Sequence, residues 1–399
     1  MRVVHRILSI VAGAVMLYLG VTGSLIQILD LKEILSGAPE TTAGMQSINE
    51  GKNGNAGYVV LTPIDYGAAP LPQDLDIAGA LSAVLKGLHE QRPDARPIYV
   101  ELRSSNGVTI GQARFGQPAT LLDNINTGLV AVDASTGAAT APVLVSTLRP
   151  EPSFRQTLKE WHRFWTRSDV PGVYGELLSG IVLWTLIVTG LTMYFRLLKQ
   201  RRRLGRKQLF WMAGGRWRAF HRAVSMIAAV LLIGVAFSGT WLAVESVWHT
   251  FQGRPPRPVA PELSDQNVLD MAHATLSFLR TTEPPMGIRI LQVRAYAGMK
   301  QGVVVTDEPT ARQLVFNLAT GKEVGLTEPG YPSSGFPLGL QTHENIKHLH
   351  SGFLFGIWAR VLDLLAGFAL IFLSVSGLTM YLEMWNRRRA GGRGLFFWK

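Results

Sequence analysis

The sequence predicts a membrane α-helical protein: a four-helix transmembrane bundle from an internal duplication, with two small α+β lobes outside the membrane. Three observations support this fold class. Four long apolar segments interrupt the chain, basic residues cluster at one end of each, and the second half repeats the motifs of the first.

The four apolar segments have the length of membrane spans. We predict spans at residues 7–29, 173–198, 220–247 and 361–384. Each holds about 20 apolar residues, which a helix needs to cross a hydrocarbon core of about 30 Å. The first segment is long for a signal-peptide core and has no clear small-x-small cleavage site, so we interpret it as an uncleaved helix.

Basic residues beside the spans predict the orientation. Arginines fill residues 201–203 and 387–389, and Arg2 and Arg6 precede the first span. Because positively charged flanks stay in the cytoplasm, both termini are predicted to be cytoplasmic. The two long loops then lie in the periplasm of a bacterial inner (cytoplasmic) membrane. This topology accounts for the net charge of +11, so we expect lipid around the spans and no nucleic-acid partner.

The two halves of the chain repeat each other at matched positions. Span one begins with His5-Arg6 and ends at Thr22-Gly23, while span three begins with His221-Arg222 and ends at Ser238-Gly239. Spans two and four both end in Gly-Leu-Thr-Met-Tyr and are followed by three arginines. A five-residue identity at matching places indicates a duplication. Each half contains two spans, so the halves are predicted to be parallel repeats about an axis along the membrane normal.

The loops between the spans have the pattern of small α+β units. A helical stretch (77–88 in the first loop, 267–279 in the second) precedes strand-like runs and an Asp/Ser/Gly or Ala-Thr-Gly turn. The strand-like runs are 97–102 and 109–115 in the first loop and 289–294, 302–306 and 314–318 in the second. The predicted organisation is transmembrane helix 1 at 1–30, a first periplasmic lobe at 31–160, helix 2 at 161–198, a basic cytoplasmic loop at 199–218, helix 3 at 219–248, a second periplasmic lobe at 249–345, helix 4 at 346–386 and a cytoplasmic tail at 387–399.

The histidines follow the repeat. His5 and His221 occupy equivalent cytoplasmic ends of spans one and three. His162 and His350 precede spans two and four on the outside, at nearly the same distance from the Gly-Leu-Thr-Met-Tyr sequence. The duplication therefore predicts two histidine pairs, one near each face of the membrane.

Two histidines on facing helices are the usual ligands of a b-type haem, in which one imidazole binds each side of the iron. We therefore predict two haem b groups, held by His5, His221, His162 and His350. Gly13 and Gly20 would allow the macrocycle to approach span one. The chain has no cysteine, which excludes c-type haem, iron–sulfur clusters and thiolate zinc sites.

Other roles for these histidines stay open. Any single histidine at a membrane boundary is commonly only interfacial. His348 is an alternative ligand to His350, and His249 is a weaker alternative. A metal site formed by His343, His348 and His350 with Glu344 is a further reading, although zinc requires three or four ligands close together. His89 and His273 lie in helical stretches of the lobes and are interpreted as ordinary lobe residues.

Two acidic residues lie near membrane depth, where ionisable groups are commonly functional. Glu245 and Asp363 could contact haem propionates, bind substrate or relay protons, but a salt bridge with Arg360 or Arg163 is the favoured interpretation. The sequence has no Gly-x-Gly-x-x-Gly unit and no P-loop. An electron donor would therefore come from elsewhere, as a cytoplasmic reductase or a membrane quinol.

These motifs resemble those of the PepSY-associated transmembrane family of bacterial inner-membrane proteins. The resemblance covers nearly the whole chain and rests on the amino-terminal His-Arg span, the Asp-x-x-Thr-Gly turn, the Trp-His-Arg-Phe-Trp and Leu-His-Ser-Gly segments, and the two Gly-Leu-Thr-Met-Tyr endings. Within the family, the chain is similar to ferrisiderophore reductases of the FoxB type. That similarity implies PepSY-like lobes, two b haems on His5, His221, His162 and His350, and reduction of Fe(III) in a siderophore with release of Fe(II).

Two other functions are compatible with the sequence. A non-enzymatic PepSY regulator would bind a protease or peptide through its lobes and use the spans as an anchor, but an anchor has no need of repeat-matched histidines. A transporter would use the duplicated bundle as two rocking halves, but the spans lack the breaks expected at the midplane.

Overall fold

The computed structural model describes residues 2–53, 61, 63–116, 128–143, 153–165, 171–212, 214–252, 262–282, 286–296, 299–308, 311–324 and 336–392. Residues 393–399 of the predicted tail, and parts of both predicted lobes, lie outside the described residues. The chain divides into two compact units. The membrane domain comprises Met1–Lys32, Phe154–Gly253 and Asn345–Lys399, and the sheet domain comprises Glu33–Ser153 and Arg254–Glu344.

The helices and strands of the described chain follow one another in a simple order. The helices are α1 (Arg2–Val11), α2 (Gly13–Leu35), α3 (Ala43–Asn53), α4 (Pro63–Tyr66), α5 (Ile77–Gln91), α6 (Phe154–His162), α7 (Gly172–Arg203), α8 (Arg216–Ile227), α9 (Ala229–Gln252), α10 (Asp265–Thr282), α11 (Gly339–Ser351) and α12 (Gly356–Ala390). The strands are β1 (Pro97–Ser105), β2 (Val108–Phe115), β3 (Gly128–Asp133), β4 (Ile288–Tyr296), β5 (Met299–Thr306), β6 (Gln313–Asn317) and β7 (Lys322–Glu323).

Four helices are long and apolar enough to cross a membrane: α2, α7, α9 and α12. Bulky apolar side chains on them are about half exposed, including Val188, Phe237 and Phe368, as expected for surfaces that face lipid. Length and composition thus confirm the prediction of a membrane protein with four apolar spanning helices.

Spans one and three are built alike, each from a short helix and a long one. The junctions lie at Ala12 between α1 and α2 and at Ala228 between α8 and α9. Backbone N–H groups at both junctions still bond the carbonyl four residues earlier (Ala12 to Leu8, Ala228 to Val224). The helical hydrogen-bond ladder is therefore continuous, so these junctions are slight irregularities and not the unwound breaks of a transporter.

The outer histidines lie on short helices and not on the spans themselves. His162 is the last residue of α6, and the chain then turns through Phe164 and Trp165, both of which have positive φ (51° and 54°). The Tyr18 hydroxyl donates to the Trp161 carbonyl oxygen (2.6 Å), and its ring stacks on Phe164 (5.7 Å). These contacts bring the end of α6 beside α2.

The sheet domain is built around one antiparallel sheet of seven strands, in the order β3-β2-β1-β4-β5-β6-β7. Alternating apolar residues explain its strands, since Val100 and Leu102 of β1 face the core and are fully buried. Helices α5 and α10 bury their apolar faces in the same core, which includes Val84 and Val268.

The strands of both loops share this sheet. β1 pairs with β4, with Leu102 opposite Leu291, so the expected two small lobes form one sheet domain. Each loop supplies a long helix followed by antiparallel strands, α5–β1–β2–β3 from the first loop and α10–β4–β5–β6–β7 from the second. The predicted helical and strand segments correspond to α5, α10, β1, β2, β4, β5 and β6, whereas β3 and β7 were not predicted as strands.

Candidate functional site

The rings of His162 and His350 face each other in the membrane domain. Their centroids are 6.3 Å apart and their planes are inclined by 37°. His162 comes from the end of α6 and His350 from the last turn of α11. The structure therefore brings together the two outer histidines that the repeat pairs.

A hydroxyl group holds each of these rings. The Nδ1 atom of His162 lies 2.8 Å from Oγ1 of Thr22, near the middle of α2. The Nδ1 atom of His350 lies 3.1 Å from Oγ of Ser238, near the middle of α9. Both Nε2 atoms are left for another partner, and the pair lies beside α2 and α9.

The surroundings favour neutral imidazoles at this pair. Burial lowers the pKa of His162 to about 3, and the nearby His350 and Arg163 lower it further in the same direction. Burial also lowers the pKa of His350 to about 4. An imidazole that stays neutral keeps a lone pair on one ring nitrogen, which is the form that binds metal ions.

The inner histidines are held in the same way. The Nδ1 atom of His5 lies 2.8 Å from Oγ1 of Thr189 on α7, and the Nδ1 atom of His221 lies 2.7 Å from Oγ of Ser376 on α12. His5 is seventeen residues before Thr22, so the two pairs are about 26 Å apart along the axis of span one.

The inner pair lines a cavity of about 430 Å³ between the four spans. This volume is in the range of about 300–1,000 Å³ that is typical of small-molecule and cofactor sites. The walls are mainly apolar and carry Met16, Leu183 and Leu370, while Arg6 and Arg222 lie beside the histidines. Such a cavity suits a large apolar ligand with anionic groups.

The spacing of the outer pair leaves room for one metal ion between the two rings, which His162 and His350 would hold through their neutral imidazole nitrogens. Each of the two histidine pairs offers two imidazole nitrogens, which is the donor set that a b-type haem requires. The same donors do not suit zinc, which takes four ligands.

The structure does not form the metal site considered around His343. Within the described residues, no three histidine, aspartate or glutamate side chains lie close enough to hold a metal ion. His343 instead stacks on Phe336, with ring centroids 3.9 Å apart.

The remaining candidate histidines lie elsewhere. His348 is fully buried with its ring edge against Phe353 (5.3 Å), whereas the ring that faces His162 belongs to His350. His249 lies in the last turn of α9. His89 is bound to Asp265 in the sheet domain, with its Nε2 atom 3.0 Å from the carboxylate.

The carboxylate bound to Arg360 is Asp30, and neither Glu245 nor Asp363 takes that place. Asp30 is buried at the end of α2 and accepts hydrogen bonds from Arg155 on α6 and from Arg360 on α12. Arg163 pairs with Glu176. Glu245 accepts a hydrogen bond from its neighbour Trp241 (2.8 Å). The hydrogen-bonded partner of Arg360 is therefore a carboxylate that the salt-bridge interpretation did not name, although Asp363 also attracts Arg360.

The two glycines named for span one have different surroundings. A Cβ atom on Gly20 would lie 3.0 Å from Ile371 and 3.3 Å from the Gly367 carbonyl oxygen, so this glycine allows α2 and α12 to pack closely. Gly13 lines the inner cavity but also packs against Leu378. Helix packing thus explains Gly20 without a macrocycle.

Sequence patterns did not predict the hydroxyl groups that hold the histidines. All four are Ser/Thr-Gly dipeptides at repeat-matched positions: Thr22-Gly23, Thr189-Gly190, Ser238-Gly239 and Ser376-Gly377. The match between four such dipeptides and four paired histidines could have predicted that they interact. Only the contacts show which hydroxyl is bound to which histidine ring.

Comparison with known proteins agrees with this architecture at the level of the family. No curated protein matches the chain significantly. The family described as the PepSY-associated TM region matches residues 2–383. This match spans the helices, the sheet domain and all four paired histidines, and the chain therefore belongs to the PepSY-associated TM region family.

Proposed function

We propose that this protein transfers electrons across a bacterial inner membrane through two b-type haems and reduces Fe(III) bound to a siderophore in the periplasm. The observation that carries the proposal is the arrangement of the four histidines in two pairs, each ring held at Nδ1 by a hydroxyl. In this proposal His5 and His221 hold the inner haem, and His162 and His350 hold the outer one.

The residues around each pair would serve binding and insulation. The four Nε2 nitrogens would hold the two haem irons, two nitrogens for each, and the apolar spans would exclude water from the path between the pairs. Arg6 and Arg222 at the inner cavity can pair with the carboxylates of the cofactor. A bound b haem supplies one-electron exchange between Fe(III) and Fe(II). Two sites about 26 Å apart divide the crossing of the membrane into shorter steps.

The substrate follows from the chemistry of iron and from the resemblance to FoxB-type reductases. One electron converts Fe(III) to Fe(II), and hard oxygen ligands such as those of a siderophore bind Fe(II) much more weakly. The electron enters from a cytoplasmic reductase or from membrane quinol. The basic flanks of the spans place the inner pair on the cytoplasmic side.

The first test is the haem content of the detergent-purified protein, expressed with ample haem supply. We expect two b haems per chain by pyridine haemochrome and a reduced-minus-oxidised spectrum. His162→Ala or His350→Ala should remove the outer haem. His5→Ala or His221→Ala should remove the inner haem. His89→Ala is the matched control, because His89 is partly exposed in the sheet domain and bound to Asp265.

The outcomes separate the candidate functions. A wild-type protein without haem would overturn the electron-transfer proposal and favour a PepSY-domain regulator or anchor. Loss of the outer haem in His348→Ala but not in His350→Ala would move the ligand assignment to His348.

The acceptor requires its own test. Protein reduced with stoichiometric dithionite is mixed with a ferric trihydroxamate siderophore and an Fe(II)-specific chelating dye. Reoxidation of the haem together with one Fe(II) captured per electron is expected. Haem that stays reduced in the presence of several ferric siderophores would refute the siderophore as substrate but not the transmembrane electron path.

A further inference from the structure

We infer that Thr22, Thr189, Ser238 and Ser376 are positioning residues that hold the four paired histidines in one tautomer, with the proton on Nδ1 and the lone pair on Nε2. This inference rests on the proposed function, because it assigns the iron-binding nitrogen. The inference also explains why the four histidines share one type of partner.

Each of the four hydroxyl groups has a single proton to donate. Thr22 Oγ1 lies 2.8 Å from the Tyr18 carbonyl oxygen, and Thr189 Oγ1 lies 2.6 Å from the Thr185 carbonyl oxygen. In the second half, Ser238 bonds the Gly234 carbonyl (2.9 Å) and Ser376 bonds the Leu373 carbonyl (3.2 Å). A carbonyl oxygen can only accept, so each hydroxyl donates its proton to its own helix.

The hydroxyl oxygen must therefore accept from the histidine. Once its proton is used on the backbone, it has only lone pairs to offer to Nδ1. The bonds between hydroxyl oxygen and Nδ1, at 2.7–3.1 Å, thus require a proton on Nδ1. In a neutral imidazole the other nitrogen is then unprotonated, so Nε2 is the atom free to bind iron at all four positions.

The glycine that follows each hydroxyl sets the position of the ring. A Cβ atom would lie 3.3 Å from the Cε1 atom of His162 at Gly23 and 3.1 Å from that of His350 at Gly239. The corresponding distance at Gly190, beside His5, is 3.4 Å. The distances at Gly23 and Gly239 are tighter than ordinary contacts, so a side chain there would require the histidine ring to shift by a few tenths of an ångström, whereas the distance at Gly190 is an ordinary contact.

This arrangement predicts a measurable effect on the bound metal. An acceptor on Nδ1–H raises the basicity of the ligand, and loss of such a partner commonly lowers metal affinity about 10–100-fold. A more basic imidazole stabilises Fe(III) relative to Fe(II). Removal of the acceptor should therefore raise the midpoint potential of one haem and leave the other unchanged.

The experiment compares Thr22→Val with Thr22→Ser and with Thr192→Val. Valine keeps the shape of threonine and removes the hydroxyl, whereas serine restores it. Thr192 is the matched control, because it is half-buried on α7, away from the histidine pairs, and its hydroxyl bonds the Val188 carbonyl of its own helix (2.7 Å). Haem affinity and the two midpoint potentials are measured by haem titration and redox titration.

We expect Thr22→Val to bind the outer haem about 10–100-fold more weakly, with a higher potential, and Thr22→Ser to resemble the wild type. An unchanged outer potential and affinity in Thr22→Val would overturn the inference, provided that the wild type binds two haems.

A wild type without haem would instead refute the proposed function. In that case, 15N-histidine NMR of the same protein reads the tautomer directly. Nδ1–H signals at the paired histidines would support the inference, and Nε2–H signals would overturn it.

Discussion

Replacement of Asp30 by Asn is expected to destabilise the membrane domain by about 3–5 kcal/mol, the usual cost of removing one member of a buried ion pair. Asp30 is 1% exposed and is the shared acceptor for Arg155 and Arg360, which are 7% and 2% exposed. An asparagine would remove the negative charge that Arg155 and Arg360 share. The three residues lie on α2, α6 and α12, so the change also loosens the helix that carries His162.

The assay is the free energy of unfolding of detergent-solubilised protein, measured by denaturant titration and by the rate of proteolysis. Glu90→Gln is the control, because it breaks an exposed pair with Lys86 (3.8 Å) in which both side chains are more than half exposed. That change should alter the free energy of unfolding by no more than about 0.5 kcal/mol.

A second variant separates charge from shape. Asp30→Leu combined with methionine at Arg155 and Arg360 removes all three charges, and an apolar replacement of a buried ion network is often neutral or stabilising. We expect it to recover most of the stability lost in Asp30→Asn. If the free energy of unfolding of Asp30→Asn lies within about 1 kcal/mol of the wild-type value, the ion network of Asp30, Arg155 and Arg360 does not hold these helices together.

Two further predictions concern glycines. Gly239→Ala should weaken binding of the outer haem more than Gly377→Ala weakens binding of the inner haem. The new Cβ atom would lie 3.1 Å from the His350 ring in Gly239→Ala, but 3.9 Å from the nearest atom of the His221 ring in Gly377→Ala. Equal haem content in both variants would contradict this prediction. Gly302→Ala should destabilise the sheet domain by about 1–3 kcal/mol through overpacking, because a Cβ there would lie 1.9 Å from Oγ1 of the buried Thr275. Thermal unfolding followed by circular dichroism checks it, and an unchanged melting temperature would show that α10 can shift to make room.

The pairing of the histidines could be predicted from the repeat, but the sequence could not decide between His348 and His350 as the partner of His162. His348 and His350 are two residues apart on α11, so their side chains point about 200° apart around the helix axis. Sequence alone does not give the rotation of α11 relative to α9. Packing of the helix decides this, and it places His350 against Ser238 and opposite His162.

The ion network of Asp30, Arg155 and Arg360 could not be predicted from the sequence for a related reason. Asp30 lies at the end of a long apolar segment, where a charged residue normally marks the edge of a span. Its partners are 125 and 330 residues away in the chain, and no local periodicity connects them. The same limit hid the pairing of β1 with β4, because each loop has the strand pattern of a separate small unit.

By itself, the sequence determined the membrane class, the four apolar helices and the family, because hydropathy, charge and repeated motifs are local properties of the chain. It also determined which residue types were available as ligands. Only the tertiary structure decided which hydroxyl holds which histidine, which carboxylate binds the buried arginines and that both loops share one sheet. These are contacts between distant segments, and they depend on the rotation and depth at which the helices and strands pack.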